Sequence, residues 1–204
     1  NRIDFNDGTF FEPGTNNSIV IGDVIDSSFD GSKLPDGMEA GQLNTGTIYE
    51  RGAVSIPNGC HATEVEVDPE TGAIDVAGYW VVDDFGTIIN PMLADGQVMG
   101  GVAQGIGQVL TENIVFDDSG QLITGSLMDY GLPRADHLPA FATALNEVPS
   151  PTNPLGVKGA GEAGVTGAGA AIASAIDDAI GIPGAITRLP VTPQRLMDIL
   201  NSRQ

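Results

Sequence analysis

The segment from residue 156 to residue 164 carries the residue types best suited to chemistry. Four glycines surround one carboxylate, Glu162: Gly156, Gly159, Gly161 and Gly164. Glycine permits unusual backbone dihedral angles and lets a ligand come close to the backbone. The small residues that follow predict a helix over 165–180, whose positive N-terminal end would lie beside Glu162. The segment therefore indicates a catalytic base or a neighbour of an anion site, and a simple helix cap is an equally open alternative.

The segment from residue 95 to residue 108 has the periodicity of a helix. One apolar face is formed by Val98, Val102, Ile106 and Val109, and an adjacent stripe by Gln97, Gly100, Gly101, Gln104 and Gln108. Each interior glycine destabilises a helix by about 1 kcal/mol relative to alanine. We therefore expect the glycines to admit a flat polar ligand that Gln97 hydrogen-bonds. Close packing against another helix or a sheet is the alternative explanation for them.

Residues 159–164 also match G-x-G-x-x-G, the fingerprint of dinucleotide-binding Rossmann folds. That fingerprint requires a buried strand directly before it. Residues 150–155 contain two prolines and cannot form such a strand. Thr192 and Pro193 stand where a ribose-binding acid is expected. A Rossmann-type dehydrogenase is therefore the less favoured interpretation of this glycine pattern.

Composition excludes several classes of function. The 204 residues suffice for one good core or two small ones, and 27 acidic against 8 basic residues give a net charge of −19. Such a charge repels phosphate backbones and anionic lipid, so we expect no nucleic-acid or membrane partner. The single cysteine, Cys60, allows no intrachain disulfide, and we interpret it as a buried structural thiol. The two histidines are too few for a zinc site, and we interpret His61 as a strand-entry residue without a metal.

The ends and the hydropathy of the chain bear on its location. The opening residues do not resemble a signal peptide and lack an initiator methionine, and no apolar run has the length of a membrane span. We therefore expect a fragment of a longer, cytoplasmic protein.

Local patterns predict an α+β fold with antiparallel hairpins, a mixed sheet and packed helices. Hairpins are indicated over 3–11, 62–82 and 114–123, each with a turn rich in Asp and Gly. A short helix is predicted over 18–29, and a final helix begins with Thr192 as its N-cap and Pro193 at its first position. The polar loop over 30–47 is the best candidate for a boundary within the chain.

Several of these segments together resemble the large subunit of the molybdenum hydroxylases, the family of xanthine dehydrogenase, aldehyde oxidoreductase and aerobic carbon monoxide dehydrogenase. The strongest likeness lies in residues 96–107 and 156–162, and it is supported by residues 57–61, 64–72, 90–91 and 125–130. The resemblance spans about residues 3–204. It implies that residues 1–204 are the C-terminal fragment of a molybdopterin-binding domain.

The resemblance also implies roles for individual residues. Glu162 matches the family's active-site glutamate, a general base in the oxidation of the substrate with oxygen from water. Gln97 matches the glutamine that hydrogen-bonds the pterin. The other implied cofactor-binding residues are Gly100, Gly101, Lys158, Gly159, Ala160 and Gly161. For Lys158 a structural role is equally open, and no residue of this chain is expected to be a ligand of the metal.

The implied cofactor is molybdenum-molybdopterin as a cytosine dinucleotide. FAD and 2Fe-2S clusters are expected on partner domains or subunits, next to the rest of the large subunit, in a homo-oligomeric holoenzyme. The substrate would be a small molecule: an aldehyde, an N-heterocycle or carbon monoxide. The family's other cofactor-binding segments have no counterpart here, so we expect the isolated chain to be inactive. A non-catalytic folding or subunit-interface module, with an acidic surface that docks a basic partner, is the second hypothesis.

Overall fold

The computed structural model describes residues 2–41, 43–44, 46–50 and 52–202. The chain divides into two compact units, residues 1–50 and residues 51–204. Both contain strands and helices, and the larger unit combines antiparallel and parallel strand pairs. The α+β prediction is therefore confirmed.

The first unit is a small antiparallel sheet with one helix. Its strands are β1 (Asp4–Asn6), β2 (Thr9–Phe11) and β3 (Ser18–Val20), in the spatial order β1-β2-β3. Asp7 and Gly8 link β1 to β2, and both have a positive φ, as favoured in two-residue hairpin turns. The hairpin predicted over 3–11 is thus confirmed.

The helix predicted over 18–29 is wrong at its start. Residues 18–20 form β3, whose backbone pairs with β2, and the helix α1 (Ile21–Ser28) begins only after it. The apolar spacing of residues 19–25 suits a helix, but the backbone hydrogen bonds offered by β2 outweigh that pattern over the first three residues.

The second unit is built on a three-stranded sheet. Strands β4 (Asn58–Val67) and β5 (Ile74–Asp84) form the predicted hairpin, and β6 (Phe141–Leu145) pairs with β5 in parallel. Val65 and Val67 are half-buried while Glu64 and Glu66 are exposed, as their alternation predicts.

Three helices complete the second unit: α2 (Pro91–Leu110), α3 (Ala163–Ala179) and α4 (Pro193–Asn201). Asn90 caps α2 by accepting a hydrogen bond from the Leu93 N–H, and Thr192 caps α4 by accepting one from the Arg195 N–H. A proline opens each of these two helices. The predicted start of the final helix is confirmed. In the described part of the chain, no helix combines the length and the hydropathy needed to cross a membrane.

The core lies between the sheet and the two longer helices, since α2 packs on α3 and α3 packs on β4. The predicted apolar face of α2 is fully buried: Val98, Val102, Ile106 and Val109. Helix α3 contributes Ala168, Ile172 and Ile176, and β5 contributes Tyr79 and Val81.

The opposite face of the sheet is exposed, and beside Glu64 and Glu66 it has an apolar patch. It carries Cys60, Ala62, Trp80 and Val82, and we call it the outer face. The interpretation of Cys60 as a buried thiol is therefore wrong, because strand alternation points its side chain away from the core. The alternation that exposes Cys60 buries its neighbour His61, which lies inside β4 rather than at a strand entry.

The small hairpin predicted over 114–123 is reduced to its turn. Asp117 accepts hydrogen bonds from the Ser119 and Gln121 N–H groups, and one isolated bridge joins Phe116 to Leu122. Neither flank extends into a strand, because this short apolar run has no further strand beside it to pair with among the described residues.

Candidate functional site

Glu162 occupies the N-cap position of α3 and is exposed. Its backbone carbonyl accepts hydrogen bonds from the Thr166 N–H and hydroxyl, but its carboxylate makes no capping bond. The side chain of Glu162 therefore does not cap the helix. Its carboxylate stands at the positive end of a 17-residue helix, where negative charge is stabilised.

Gln97, on α2, is joined to the glycine segment that precedes Glu162. Its side-chain Nε2 donates a hydrogen bond of 2.6 Å to the carbonyl oxygen of Gly161. The two segments singled out in the sequence therefore meet. The contact that Gln97 makes is to backbone, and it fixes the residue next to the carboxylate.

The glycines of α2 fall into two groups. A Cβ on Gly101 would lie 2.9 Å from the Gly164 Cα and the Val165 N, and a Cβ on Gly105 would collide with the Ala168 side chain. These buried glycines let α2 and α3 pack closely, which is the alternative explanation offered for them. The side of Gly101 on which a Cβ would lie is filled by α3, and the cofactor contact expected of Gly101 stays a prediction. Gly100 is exposed, with open space where a Cβ would point.

The segment from residue 159 to residue 161 has a bare side. Apart from their chain neighbours, no described residue has a heavy atom within 4 Å of the place where a Cβ on Gly159 or Gly161 would lie. Ala160, between them, is half-buried and packs on the core. The segment is thus held from behind and leaves open backbone on its other side, as a ligand-binding role requires.

Lys158 forms a buried ion pair with the end of β5. Its Nζ lies 2.5 Å from the Oδ2 of Asp84, and their side chains are 11% and 6% exposed. Asp84 also accepts hydrogen bonds from the Gly86 and Val148 N–H groups. The bond from Lys158, followed by those from the backbone, lowers the pKa of Asp84 to about 2. Lys158 therefore anchors the glycine segment to the sheet, the structural role left open by the sequence.

A cavity of about 460 Å³ opens beside Glu162. Its walls include Glu162, Gly159, Gly161, Asn58, His61 and Asp83. Glu162 and the two bare glycines come from the predicted segment, whereas Asn58, His61 and Asp83 were not predicted as site residues. The acidic pair at the end of an apolar strand, Asp83 and Asp84, was the available signal for this side of the cavity.

His61 and Asp83 are the buried polar groups of this cavity. The His61 Nδ1 is 2.8 Å from the Tyr79 hydroxyl, and its Nε2 is 3.9 Å from the Asp83 Oδ1. The side chains of His61 and Asp83 are 7% and 2% exposed, and within the described ranges the Asp83 Oδ2 has no hydrogen-bond partner. Burial lowers the pKa of His61 and raises the pKa of Asp83.

These features fit a flat polar cofactor. The bare backbone at Gly159 and Gly161, the cavity and the unpaired Asp83 oxygen all offer places for such a group. Among the described residues, no three His, Cys, Asp or Glu side chains cluster as metal ligands would.

The Rossmann interpretation finds no support in this geometry. Residues 151–155 form turns and a bend, so no strand leads into the glycine segment. Among the described residues, the one parallel strand pair of this sheet is β5 with β6, and both strands precede the glycine segment in the chain. A dinucleotide-binding fold instead continues from its glycine turn through a helix to a further parallel strand.

The model of the molybdopterin cofactor-binding domain family matches residues 1–139. The chain is 38% identical over 190 residues to the gamma subunit of the 6-hydroxypseudooxynicotine dehydrogenase complex of Paenarthrobacter nicotinovorans, covering 93% of this chain and 24% of the relative. It is 40% identical over 181 residues to the nicotine 6-hydroxylase large subunit of the same organism, covering 88% and 22%. Its fold resembles quinoline 2-oxidoreductase from Pseudomonas putida 86, with a TM-score of 0.82, 34% identity and coverage of 99% and 26%. The chain therefore spans about a quarter of the length of these proteins.

Proposed function

Because this chain belongs to the molybdopterin cofactor-binding domain family, we propose that it forms one wall of the active site of a molybdenum hydroxylase. The proposed reaction is the oxidation of an aldehyde, an N-heterocycle or carbon monoxide with oxygen from water. One observation carries the proposal. Glu162 lines a cavity beside bare glycine backbone, and Gln97 holds that backbone through Gly161.

Glu162 is the general base of this proposal. Its carboxylate is exposed and free of capping bonds, so both oxygens are available to accept a proton. It would take the proton released as water adds to the substrate, and base catalysis of this kind typically contributes about 10²–10⁴-fold. The adjacent cavity gives the substrate a place next to the base.

The glycine segment and α2 would hold the cofactor. Gly159 and Gly161 offer backbone, Gly100 offers an open helix surface, and Lys158 keeps the segment in place through Asp84. When bound, the molybdenum-molybdopterin cofactor supplies the redox centre that takes electrons from the substrate. We propose the cytosine dinucleotide form for it, with FAD and 2Fe-2S partners that receive the electrons.

The holoenzyme would contain more than this chain. The two relatives from Paenarthrobacter nicotinovorans are named as a gamma subunit of a complex and as a large subunit. We propose a comparable multi-subunit assembly here. Because the chain spans about a quarter of such proteins, the remaining cofactor walls would lie outside it, and we expect the 204 residues alone to be inactive.

The substitution Glu162→Gln in the full-length protein tests the proposal. Glutamine keeps the size of the side chain but cannot act as the base. We expect turnover to fall by at least about 100-fold, while molybdenum content stays at the wild-type level. The matched control is Glu66→Gln, at an exposed position of β4, with wild-type turnover expected. Substantial residual turnover of the Glu162→Gln protein would contradict the assignment.

The second candidate is a subunit-interface or folding module without catalysis. The outer face favours it, because Trp80 and Val82 are 46% and 47% exposed on a surface with Cys60 and Ala62. Wild-type turnover in both Glu162→Gln and Glu162→Ala would favour this candidate over the first.

A further inference from the structure

Two buried side chains in the cavity wall have no part in the proposed base catalysis. His61 comes from β4 and Asp83 from β5, and the antiparallel register of the hairpin brings them to the same end of the cavity. Their facing atoms, the His61 Nε2 and the Asp83 Oδ1, are 3.9 Å apart, beyond direct hydrogen-bond distance. A polar contact of this length invites a third group between or beside the two partners.

The contacts of His61 bear on which of its ring nitrogens carries the proton. Burial raises the pKa of Tyr79, so its hydroxyl keeps a proton to donate, and the His61 Nδ1 lies 2.8 Å away. Burial also lowers the pKa of His61, which favours the neutral ring. A neutral ring that accepts at Nδ1 carries its hydrogen at Nε2. With the Tyr79 hydroxyl donating to Nδ1, His61 presents an N–H donor at Nε2 in the cavity wall.

Asp83 supplies the complementary group. Its Oδ2 is buried and has no hydrogen-bond partner among the described residues, whereas buried polar atoms in native proteins are nearly always hydrogen-bonded. Among the described residues, the polar and charged groups that share this cavity with Asp83 are His61, Glu162, Asn58 and Thr166, and none of them bonds its carboxyl.

Two glycines make the space in which these side chains lie. A Cβ on Gly59 would collide with the Asp83 carboxyl, and a Cβ on Gly167 would lie 2.7 Å from the His61 ring. The Asp83 carboxyl thus rests on the backbone of β4, and the His61 ring rests on α3. Both side chains are thus flanked by backbone, and both line the cavity.

We propose that His61 and Asp83 form a second ligand-binding site of this cavity, which takes one neutral polar group of the bound molecule. The His61 Nε2–H donates a hydrogen bond to that group, and the Asp83 carboxyl accepts a hydrogen bond from the same group. A hydroxyl or the amide edge of a heterocycle has this chemistry, and an anion is disfavoured beside Glu162. The site rests on the proposed function, in that the molecule is either the cofactor or the substrate.

The variants Asp83→Asn and His61→Phe of the full-length protein test the site. Asparagine keeps the size of Asp83 but places a donor where a ligand hydrogen would bind, and phenylalanine keeps an aromatic ring at position 61 without any N–H. Loss of one such hydrogen bond corresponds to about a 3- to 10-fold weaker interaction. A fall of that size in molybdenum content identifies the cofactor as the ligand. A rise of that size in KM, with wild-type molybdenum content and kcat, identifies the substrate.

The matched control is Thr63→Val, which removes the hydrogen bond from the Thr63 hydroxyl to the Gly78 carbonyl between the same two strands. Thr63 is on the buried side of β4, as His61 is, but does not line the cavity. Wild-type molybdenum content and KM in both site variants would overturn the proposal, and so would equal losses in the control. Failure of the proposed function would be distinct, because it would appear as substantial residual turnover of the Glu162→Gln protein.

Discussion

The side-chain amide of Gln97 and the carbonyl of Gly161 are joined by a 2.6 Å hydrogen bond across 64 residues of sequence. This bond ties α2 to the residue that directly precedes Glu162. The position of the carboxylate thus depends on a helix whose other face is the hydrophobic core. The helix that builds the core also orients the proposed base.

Removal of that amide should misplace the base without unfolding the protein. We expect Gln97→Ala in the full-length enzyme to lower kcat by about tenfold, since a misplaced catalytic group loses rate steeply. Stability should change by about 0.5–1.5 kcal/mol, because Gln97 is exposed and contributes one hydrogen bond. Steady-state kinetics and thermal melts give the two values. Gln104→Ala, two turns further along the exposed side of α2, should behave as wild type.

The two adjacent glycines of α2 should respond oppositely to alanine. Gly101→Ala drives a methyl group into the backbone of α3, which cannot rotate away, and should destabilise the protein by about 1–3 kcal/mol. Gly100→Ala meets open space and should stabilise the helix by up to about 1 kcal/mol. Melting temperatures of the two variants test this contrast. Equal shifts would show that α2 and α3 do not pack as described.

The ion pair of Lys158 with Asp84 should give stability with a defined pH dependence. The folded-state pKa of Asp84 is lowered to about 2, below its ordinary value of 3.8, so the pair stabilises the fold above about pH 4. That contribution is lost as the pH falls from about 4 to about 2. In Lys158→Met, the melting temperature should be lower at neutral pH and should depend less on pH within this window. If the melting temperatures of the wild type and of Lys158→Met differed by the same amount throughout about pH 2 to 5, the prediction would be contradicted.

The absence of a capping bond at Glu162 leads to a stability prediction. Glu162→Ala should change the free energy of unfolding by less than about 0.5 kcal/mol, as at an ordinary surface position. Thr192→Ala removes a real capping bond and should cost about 1 kcal/mol. Chemical denaturation of both variants provides the comparison. A loss at Glu162 as large as that at Thr192 would restore the capping interpretation.

Local patterns in the sequence sufficed for elements whose signals lie within a few residues. The Asp7-Gly8 turn, the cap at Thr192 and the apolar face of α2 are of this kind. Strand β6 was missed, because its five residues become a strand only through parallel pairing with β5. The start of α1 was wrong for the same reason, since residues 18–20 pair with β2.

The residues of the site also differ in how far their signals lie apart in the sequence. The glycine segment with Glu162 is contiguous in sequence, so its unusual composition was visible. His61 and Asp83 meet only through the register of β4 and β5, and Lys158 reaches Asp84 across 74 residues. Gly101 shows a different limit, because close helix packing and ligand access favour the same residue at the same spacing. Which of the two roles such a glycine has depends on the residues that lie opposite it in the structure.

The outer face of the sheet holds the sole tryptophan of the chain. Trp80 lies over Gly78 with nearly half of its surface open to water. Indole fluorescence is sensitive to the polarity around the ring, so the emission of Trp80 would report whether the outer face becomes covered. A blue shift of the emission maximum on mixing with another polypeptide would show that this polypeptide buries Trp80.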